Sequence, residues 1–214
     1  MTKIVPPLPL VSFVSELERL LAAYDPQPAA PPPEFLTLAA QALGRLVRGE
    51  GWLPAAYAEP HPEHYRQFLL YRDPEARFSV VSFVWGPGQR TPVHDHQVWG
   101  LVGVLRGAEY SQSYHADPAF PGRPLIAEGP DKKLSAGVVE ILSPAEGDIH
   151  RVRNAYDDRV SISIHVYGAD IGRVERWVYP SGFPPSARRP FVSGYSNDES
   201  FSPPFSRFTR LETV

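Results

Sequence analysis

Two stretches near the N-terminus carry apolar residues at helical spacing. In residues 10–24, one stripe of a helix collects six apolar positions: Leu10, Phe13, Val14, Leu17, Leu20 and Leu21. The segment DPQPAAPPPE interrupts this pattern, a second helix is predicted for residues 35–48, and the sequence GEG ends it. The pattern therefore predicts a pair of short helices that packs on a larger unit.

From about His64 the pattern changes to short runs rich in Val, Ile, Phe and Tyr, separated by Gly, Pro, Asp or Asn. The predicted strands are QFLLYRD, RFSVVSFVWG, VWGLVGVLRG, AEYSQSYH, VVEILSP, IHRVRNA and RVSISIHVYG. Many short strands without intervening helices indicate a mainly β, antiparallel sandwich or barrel. We predict one domain, made of a helical flank (1–60), a barrel (61–179) and an extended C-terminal wrap (180–214).

Composition narrows the function classes. The 214 residues are 43% hydrophobic and carry a formal net charge of -3, without a basic run that would indicate nucleic-acid or anionic-membrane binding. No segment reads as a signal peptide or approaches the ~18 continuous apolar residues of a membrane span, so the expected location is cytoplasmic. The chain has no cysteine, so any metal must be held by nitrogen and oxygen ligands. The oligomeric state is left open.

The sequence TPVHDHQVWG holds two histidines one residue apart, in a segment with the pattern of a strand. Because successive strand side chains point to opposite faces, we expect His94 and His96 to point the same way and Asp95 the other way. Two imidazoles on one face can share a metal ion or lie in solvent. The pair alone does not decide between these.

The stretch GQRTPVHDHQVWGLVGVLRG resembles the first motif of the cupins. Gly147, His150 and Asn154, in GVVEILSPAEGDIHRVRN, resemble the second motif, with Pro144 one place late. The resemblance implies a cupin double-stranded β-helix barrel that directs His94, His96 and His150 at one metal. The glutamate of most cupins is missing, since Gly100 stands four residues after His96. Three neutral imidazoles leave a divalent ion at +2, which favours an anionic ligand such as a thiolate.

The stretch RVSISIHVYGAD alternates polar and apolar residues. Ser161, Ser163, His165 and Tyr167 share one face of the predicted strand, and Val160, Ile162, Ile164 and Val166 share the other. The polar face can lie in water over an apolar core. Alternatively, it can line the barrel lumen, where Ser163, His165 and Tyr167 could form a hydrogen-bonded chain.

Together, HxH, the missing carboxylate, the later histidine and SxHxY resemble the thiol dioxygenases of the cysteine dioxygenase family, over roughly residues 60–177. The resemblance implies one Fe(II) per chain, oxidation of a small thiol by O₂ to a sulfinate, and Ser163, His165 and Tyr167 as a triad beside the metal. Gly100 stands where mammalian-type members carry a cysteine crosslinked to the tyrosine. Gln67 stands where they carry a carboxylate-binding arginine. Gln67 and Arg176 resemble the bacterial 3-mercaptopropionate dioxygenase branch as substrate-binding residues, with Arg173 a weaker match than Arg176.

Other interpretations stay open. Within the family, the substrate could be cysteine or mercaptosuccinate instead of 3-mercaptopropionate. A cupin that binds a small carboxylate without chemistry is a candidate from another class. Metal-dependent cupin isomerases are disfavoured, because their metal site normally keeps the glutamate.

Overall fold

A computed structural model describes residues 6–198 of the chain. Its first elements are two helices, α1 (Leu8–Tyr24) and α2 (Pro33–Arg48). Each begins directly after a proline and ends near the predicted residue, because proline fits the first turn and the chain leaves the helical conformation at Asp25 and Gly49. The predicted helical pair is therefore confirmed.

The described part of the chain continues with twelve β-strands. Their bounds are β1 (Arg66–Arg72), β2 (Ser79–Trp85), β3 (Val93–His94), β4 (Gly100–Arg106), β5 (Ala108–His115), β6 (Ile126–Ala127), β7 (Lys132–Ser135), β8 (Val139–Leu142), β9 (His150–Asn154), β10 (Ser161–Tyr167), β11 (Arg176–Tyr179) and β12 (Arg189–Phe191). All pairings between these strands are antiparallel.

The strands form the two sheets of a cupin double-stranded β-helix barrel, as predicted. One sheet has the order β1-β2-β10-β4-β8, and the other has the order β12-β11-β3-β9-β5, with β6 and β7 beside β5. Strand β10 lies in the middle of the first sheet, where it pairs with β2 on one side and β4 on the other. All seven of its residues are buried.

The two helices cover the outer face of the first sheet. Apolar side chains of both helices form one core with Phe78, Val80, Leu101, Ile164 and Val166 of the sheet. The residues that alternate with these face the lumen, where Val81, Phe83, Trp85, Val152 and Tyr167 form a second apolar cluster. The apolar face of β10 therefore packs against the helices, and its polar face is turned into the barrel.

Asn154 closes the end of β9 against two neighbouring segments. Its side-chain amide donates to the backbone carbonyls of Trp85, Gly86 and Arg159, at 3.2, 2.9 and 2.8 Å. The asparagine of the second cupin-like motif thus fixes the strand that begins with His150.

The chain between residues 180 and 198 returns over the barrel. Strand β12 pairs with β11, and Ser196 and Asn197 hydrogen-bond the backbone of β1 at Gln67 and Leu69. The predicted wrap extends to residue 214, and its last part, residues 199–214, lies outside the described residues. The boundaries at 60/61 and 179/180 stay a prediction. Among residues 6–198, no helix has the length and apolar character needed to cross a bilayer.

Helix α2 crosses β4 at Gly103, and this contact offers a test of the packing. A Cβ at Gly103 would lie 2.9 Å from Val47 Cγ1 and 3.0 Å from Leu43 Cγ. We expect Gly103→Ala to lower the free energy of unfolding by about 1–3 kcal/mol, since overpacking a core costs that much.

The matched control is Gly122→Ala, because a Cβ there meets no heavy atom within 4 Å. Its unfolding free energy in urea should stay within about 0.5 kcal/mol of the parent. Equal stabilities of the two variants would contradict close packing of α2 on β4.

Candidate metal centre

Pairing of β3 with β9 brings two of the predicted ligands together. His94 stands directly opposite His150 in the register, and His96 follows two residues later. One ligand atom of each histidine lies within 4.8 Å of the other two, and all three residues are buried. The ring centroids are 4.9–5.0 Å apart and the ring planes are inclined by 51–71°. Three imidazole edges therefore converge on one point.

The backbone at His96 differs from the sequence prediction. Strand β3 ends at His94, and Gln97 has a φ of 64°, in the left-handed region. Long-range contacts hold this turn, because the Asp95 carboxylate accepts hydrogen bonds from Trp177 N–H and Tyr179 O–H at 2.8 and 2.9 Å. The strand prediction was therefore wrong for His96. Asp95 does point away from the histidines, as expected, and the turn after it brings His96 to the same centre.

Burial keeps all three imidazoles neutral at neutral pH. Desolvation lowers the pKa of His94 and His96 well below the usual range, and repulsion between the rings adds to it. Burial lowers the pKa of His150 to about 4. Neutral imidazole is the form that binds a metal, because its unprotonated nitrogen carries a lone pair.

The Nδ1 nitrogen of each of the three rings lies near a hydrogen-bond acceptor or a carboxylate. His94 Nδ1 lies 3.0 Å from the carbonyl of Pro92, and His150 Nδ1 lies 3.3 Å from Ser111 Oγ. His96 Nδ1 is buried without a hydrogen-bond partner among the described residues, and Asp148 Oδ2 is 3.8 Å away. Such outer contacts set the tautomer and leave Nε2 for the metal. The donor set fits a divalent ion held by three imidazoles.

A second group of potential ligands lies on the loop before β1. His61, Glu63 and His64 also bring one ligand atom each within 4.8 Å of one another. Their rings, however, stack with centroids 3.9 Å apart and an inclination of 29°. A metal lies in the plane of each imidazole that binds it, which two stacked rings cannot both satisfy. Glu63 is also exposed. The buried cluster is therefore the better metal site.

The polar face of β10 forms a continuous hydrogen-bonded chain beside the histidines. Ser163 Oγ lies 2.8 Å from His165 Nε2, and His165 Nδ1 lies 2.8 Å from the Tyr167 hydroxyl. Trp85 donates its indole N–H to Ser163 Oγ at 3.2 Å. The Tyr167 ring stacks on His96 at 5.5 Å between centroids. The lumen interpretation of this strand is thus the one observed, and a polar face in water is excluded.

A narrow pocket opens over this region, and all but two of the predicted site residues line it. Its lining comprises Tyr65, Gln67, Phe83, Trp85, Thr91, His94, His150, Val152, His165, Tyr167, Arg176 and Ser193. His96 and Ser163 lie behind this lining, in contact with Tyr167 and His165, and Arg173 lies elsewhere, exposed and paired with Asp170. The lining contains no Asp or Glu among the described residues.

Both predicted substrate-binding residues are buried in this pocket. Arg176 donates from Nη2 to Ser193 Oγ and lies over the Phe191 ring, 4.5 Å from its centroid. Its Nε and the Gln67 Nε2 have no hydrogen-bond partner among residues 6–198. Burial lowers the pKa of Arg176, but a guanidinium stays protonated at any physiological pH. The pocket therefore offers unused N–H donors and a positive charge.

The model of the family described as cysteine dioxygenase type I matches residues 49–178, which is more than half of the chain. The chain belongs to the cysteine dioxygenase type I family. The match spans both histidine motifs and the whole of β10. Members of this family are iron-dependent thiol dioxygenases, and the three buried histidines fit that chemistry.

Solved structures with a similar fold have less than 25% sequence identity to the chain. One is a conserved protein with a double-stranded β-helix domain from Klebsiella pneumoniae, with 19% sequence identity and a TM-score of 0.42. The alignment covers 62% of this chain and 98% of the Klebsiella chain. A cupin superfamily protein from Desulfitobacterium hafniense has 14% identity, covers 57% of this chain and 94% of its own, and also gives 0.42.

Gly100 is the position predicted to correspond to the crosslinked cysteine of mammalian-type members, and it lies beside Tyr167. It pairs with Tyr167 in the sheet, and a Cβ at Gly100 would lie 3.3 Å from Tyr167 Cδ1 and 3.5 Å from Cε1. The position is therefore adjacent to the phenol ring, but glycine has no side chain to link to it.

Several residues of the site are not among those for which the sequence motifs predict a function. Tyr65 and Thr91 line the pocket from segments that were read only as strand or loop, and Ser193 reaches it from the C-terminal segment. Asp148 binds the backbone N–H groups of His96 and Gln97 at 2.8 and 3.1 Å. The tail was predicted to wrap the barrel, but no pattern in it indicated which residue would meet Arg176.

The histidine cluster predicts how iron content responds to substitution. We expect His150→Ala to reduce bound iron to a small fraction of one per chain, a larger loss than the roughly 10–100-fold that removal of an outer contact costs. Metal analysis after dialysis measures it. The circular dichroism of the metal-free protein should stay unchanged.

His115→Ala is the matched control, because His115 is half-exposed and lies beside Glu128, away from the cluster. It should keep the parent's iron content. Full iron loading of His150→Ala would contradict the assignment of this residue as a ligand.

Proposed function

We propose that the chain is a thiol dioxygenase that converts a small mercaptocarboxylate, 3-mercaptopropionate, and O₂ into the corresponding sulfinate. The observation that carries the choice of substrate is a buried arginine without a counter-ion. Arg176 forms no ion pair with any carboxylate of residues 6–198, and Asp95, the acidic group that affects it, is engaged by Trp177 and Tyr179.

A buried, unpaired cation is costly, unless a ligand supplies the opposite charge. The carboxylate of a mercaptocarboxylate is such a ligand, and Arg176 and Gln67 have N–H groups to give it. Charge-assisted hydrogen bonds to a carboxylate are among the stronger polar contacts in proteins. The pocket therefore suits a substrate with a carboxylate at one end.

The same pocket is a poor environment for the ammonium group of cysteine. No carboxylate lines it among the described residues, and its lining includes the guanidinium of Arg176, which repels another cation. Gln67 is neutral, so it cannot replace the charged bidentate contact of an arginine. A substrate that lacks the ammonium group avoids both costs.

His94, His96 and His150 would hold one Fe(II), which would supply the redox chemistry between thiolate and dioxygen. The overall reaction is RSH + O₂ → RSO₂H. Two S–O bonds form and the O–O bond breaks, while sulfur loses four electrons and dioxygen gains them. The proton of the thiol ends on the sulfinic acid.

The chain's own residues control protons and water around this reaction. Tyr167 can hold or move a proton at its hydroxyl, on the side of the pocket that the histidines face. Burial raises the pKa of Tyr167, so the phenol keeps its proton at neutral pH. His165 and Ser163 fix the phenol through two hydrogen bonds of 2.8 Å. Phe83, stacked on His165 at 3.9 Å, excludes water from the chain.

The first test is a panel of thiols. We expect kcat/KM for 3-mercaptopropionate to exceed that for L-cysteine at equal iron loading, by roughly tenfold or more, since an unpaired buried charge costs more than 1.4 kcal/mol. Oxygen consumption and sulfinate formation measure it. A preference for cysteine, or for mercaptosuccinate, would replace the proposed substrate. No turnover with any thiol, despite bound iron, would support a binding module.

The second test removes the guanidinium. Arg176→Ala should lower kcat/KM for 3-mercaptopropionate by about 100-fold, because loss of one partner of a buried charge pair costs roughly 2–5 kcal/mol. The control is Arg173→Ala, whose side chain is exposed and paired with Asp170. It should keep the parent's rate. If Arg176→Ala keeps both rate and selectivity, Arg176 does not bind the substrate.

The third test removes one hydroxyl. Tyr167→Phe should keep the parent's iron content and lose roughly 100-fold in kcat, in the range that a positioned proton donor contributes. Iron analysis and steady-state kinetics measure the two quantities. Unchanged turnover would reduce the triad to a structural role.

A further inference from the structure

A carboxyl group lies buried at the far end of the Ser163–His165–Tyr167 chain. Glu109, on β5, has no exposed surface, and its Oε1 accepts a hydrogen bond from Ser161 Oγ at 3.4 Å. Its Oε2 has no hydrogen-bond partner among the described residues. Ser163 lies two residues after Ser161 on the same face of β10 and accepts the Trp85 indole N–H at 3.2 Å, so both side chains lie beside this carboxyl.

Burial raises the pKa of Glu109 to about 8, and the negative charge of Glu140 adds to the effect. Hydrogen bonds from Ser163, Ser161 and Trp85 lower the pKa and offset part of the burial. The carboxyl is therefore mainly protonated at neutral pH and loses its proton in mildly alkaline solution.

The charge of Glu109 decides the direction of the hydrogen bonds along the chain. A neutral imidazole has one N–H, so His165 donates to one neighbour and accepts from the other. A charged Glu109 only accepts, so Ser163 turns its proton toward the carboxylate and accepts from His165 Nε2. His165 Nδ1 must then accept the proton of the Tyr167 hydroxyl, which is turned away from the pocket.

A neutral Glu109 has an O–H donor and therefore allows every step to run in the opposite direction. Its O–H donates to Ser163 Oγ, which also accepts from Trp85 and turns its own proton toward His165 Nε2. His165 then carries its proton on Nδ1 and donates to the Tyr167 oxygen. The phenol proton is released from the chain and can point into the pocket.

We propose that Glu109 is a positioning residue of this enzyme, whose neutral form turns the Tyr167 hydroxyl proton toward the reacting groups. This rests on the proposed function, in which Tyr167 holds a proton at the pocket. Glu109 touches neither substrate nor metal ligand and acts through Ser163 and His165.

Few other groups near Glu109 can account for a change in mild alkali. Glu140 faces it from β8 and is itself 3.6 Å from Lys132 Nζ. From β10, burial keeps the pKa of His165 well below the usual range and raises that of Tyr167. His165 therefore stays neutral and Tyr167 stays protonated while Glu109 loses its proton.

The experiment compares Glu109→Gln with Glu109→Met over a pH series on iron-loaded enzyme. The glutamine amide donates like the neutral acid but cannot ionise. The turnover of the parent should fall as the pH rises through about 8, and that of Glu109→Gln should not. Glu109→Met, without a donor, should lose roughly tenfold or more in kcat at every pH, with KM changed less than about twofold.

Glu140→Gln is the matched control, because it removes the neighbouring carboxylate and leaves Glu109 in place. It should keep the alkaline fall, moved to lower pH, since loss of the negative charge makes Glu109 easier to ionise. A purely structural role for Glu109 would change stability in each variant but would not abolish the alkaline fall in Glu109→Gln alone.

Two measurements on the metal-free protein are independent of activity. Infrared difference spectra of parent minus Glu109→Gln should show the C=O band of a neutral carboxylic acid below about pH 7 and lose it above about pH 9. The folded pKa of about 8 lies above the usual carboxyl pKa of 4.5, so the folded state binds the extra proton in this interval. The melting temperature of the parent should therefore fall relative to Glu109→Gln as the pH rises from 4.5 to 8.

The outcomes separate this inference from the proposed function. An alkaline fall that persists unchanged in Glu109→Gln, or an absent carboxylic-acid band, overturns the role of Glu109, even where Tyr167→Phe loses turnover. If Tyr167→Phe keeps its turnover, the role of Tyr167 in the proposed function fails, and the role of Glu109 fails with it.

Discussion

Burial of β10 on both faces is the constraint on which the rest of this structure depends. The strand lies between β2 and β4, and the helices cover its apolar face, so its polar residues have no access to water. A buried polar group without a hydrogen bond is costly. Ser163, His165 and Tyr167 therefore satisfy one another, and the same requirement extends the chain to Trp85 and Glu109.

Desolvation also gives the site its chemistry, with opposite effects on different groups. It removes protons from the three imidazoles, which prepares them for a metal, and it keeps protons on Tyr167 and Glu109. Arg176 keeps its charge and lacks a carboxylate partner among residues 6–198. The electrostatic result is a cationic pocket over neutral ligands, which explains why an anionic thiol substrate is the better proposal.

The strand predicted from the local pattern at His96 was wrong because contacts with residues distant in the sequence hold the backbone in a turn there. The HxH pattern predicted a strand through His96, but Asp95 is held by Trp177 and Tyr179, more than 80 residues later, and the chain turns after His94. For β10 the sequence left two orientations open, because alternation is the same whichever face is wet. The helices at residues 8–48 decide between them by covering the apolar face.

The helical pair, the short-strand region and the donor types could all be predicted from the sequence, because periodicity and residue chemistry are local properties. The sequence also shows that no cysteine is available and that Gly100 takes the place of the glutamate of most cupins. Which groups meet became visible in the fold: Ser193 beside Arg176, Asp148 beside His96, and Glu109 beside Ser161. These pairs are separated by 17 to more than 50 residues along the chain. The pairing of strands that are distant in the sequence brings these residues together, and the local sequence pattern does not show which strands will pair.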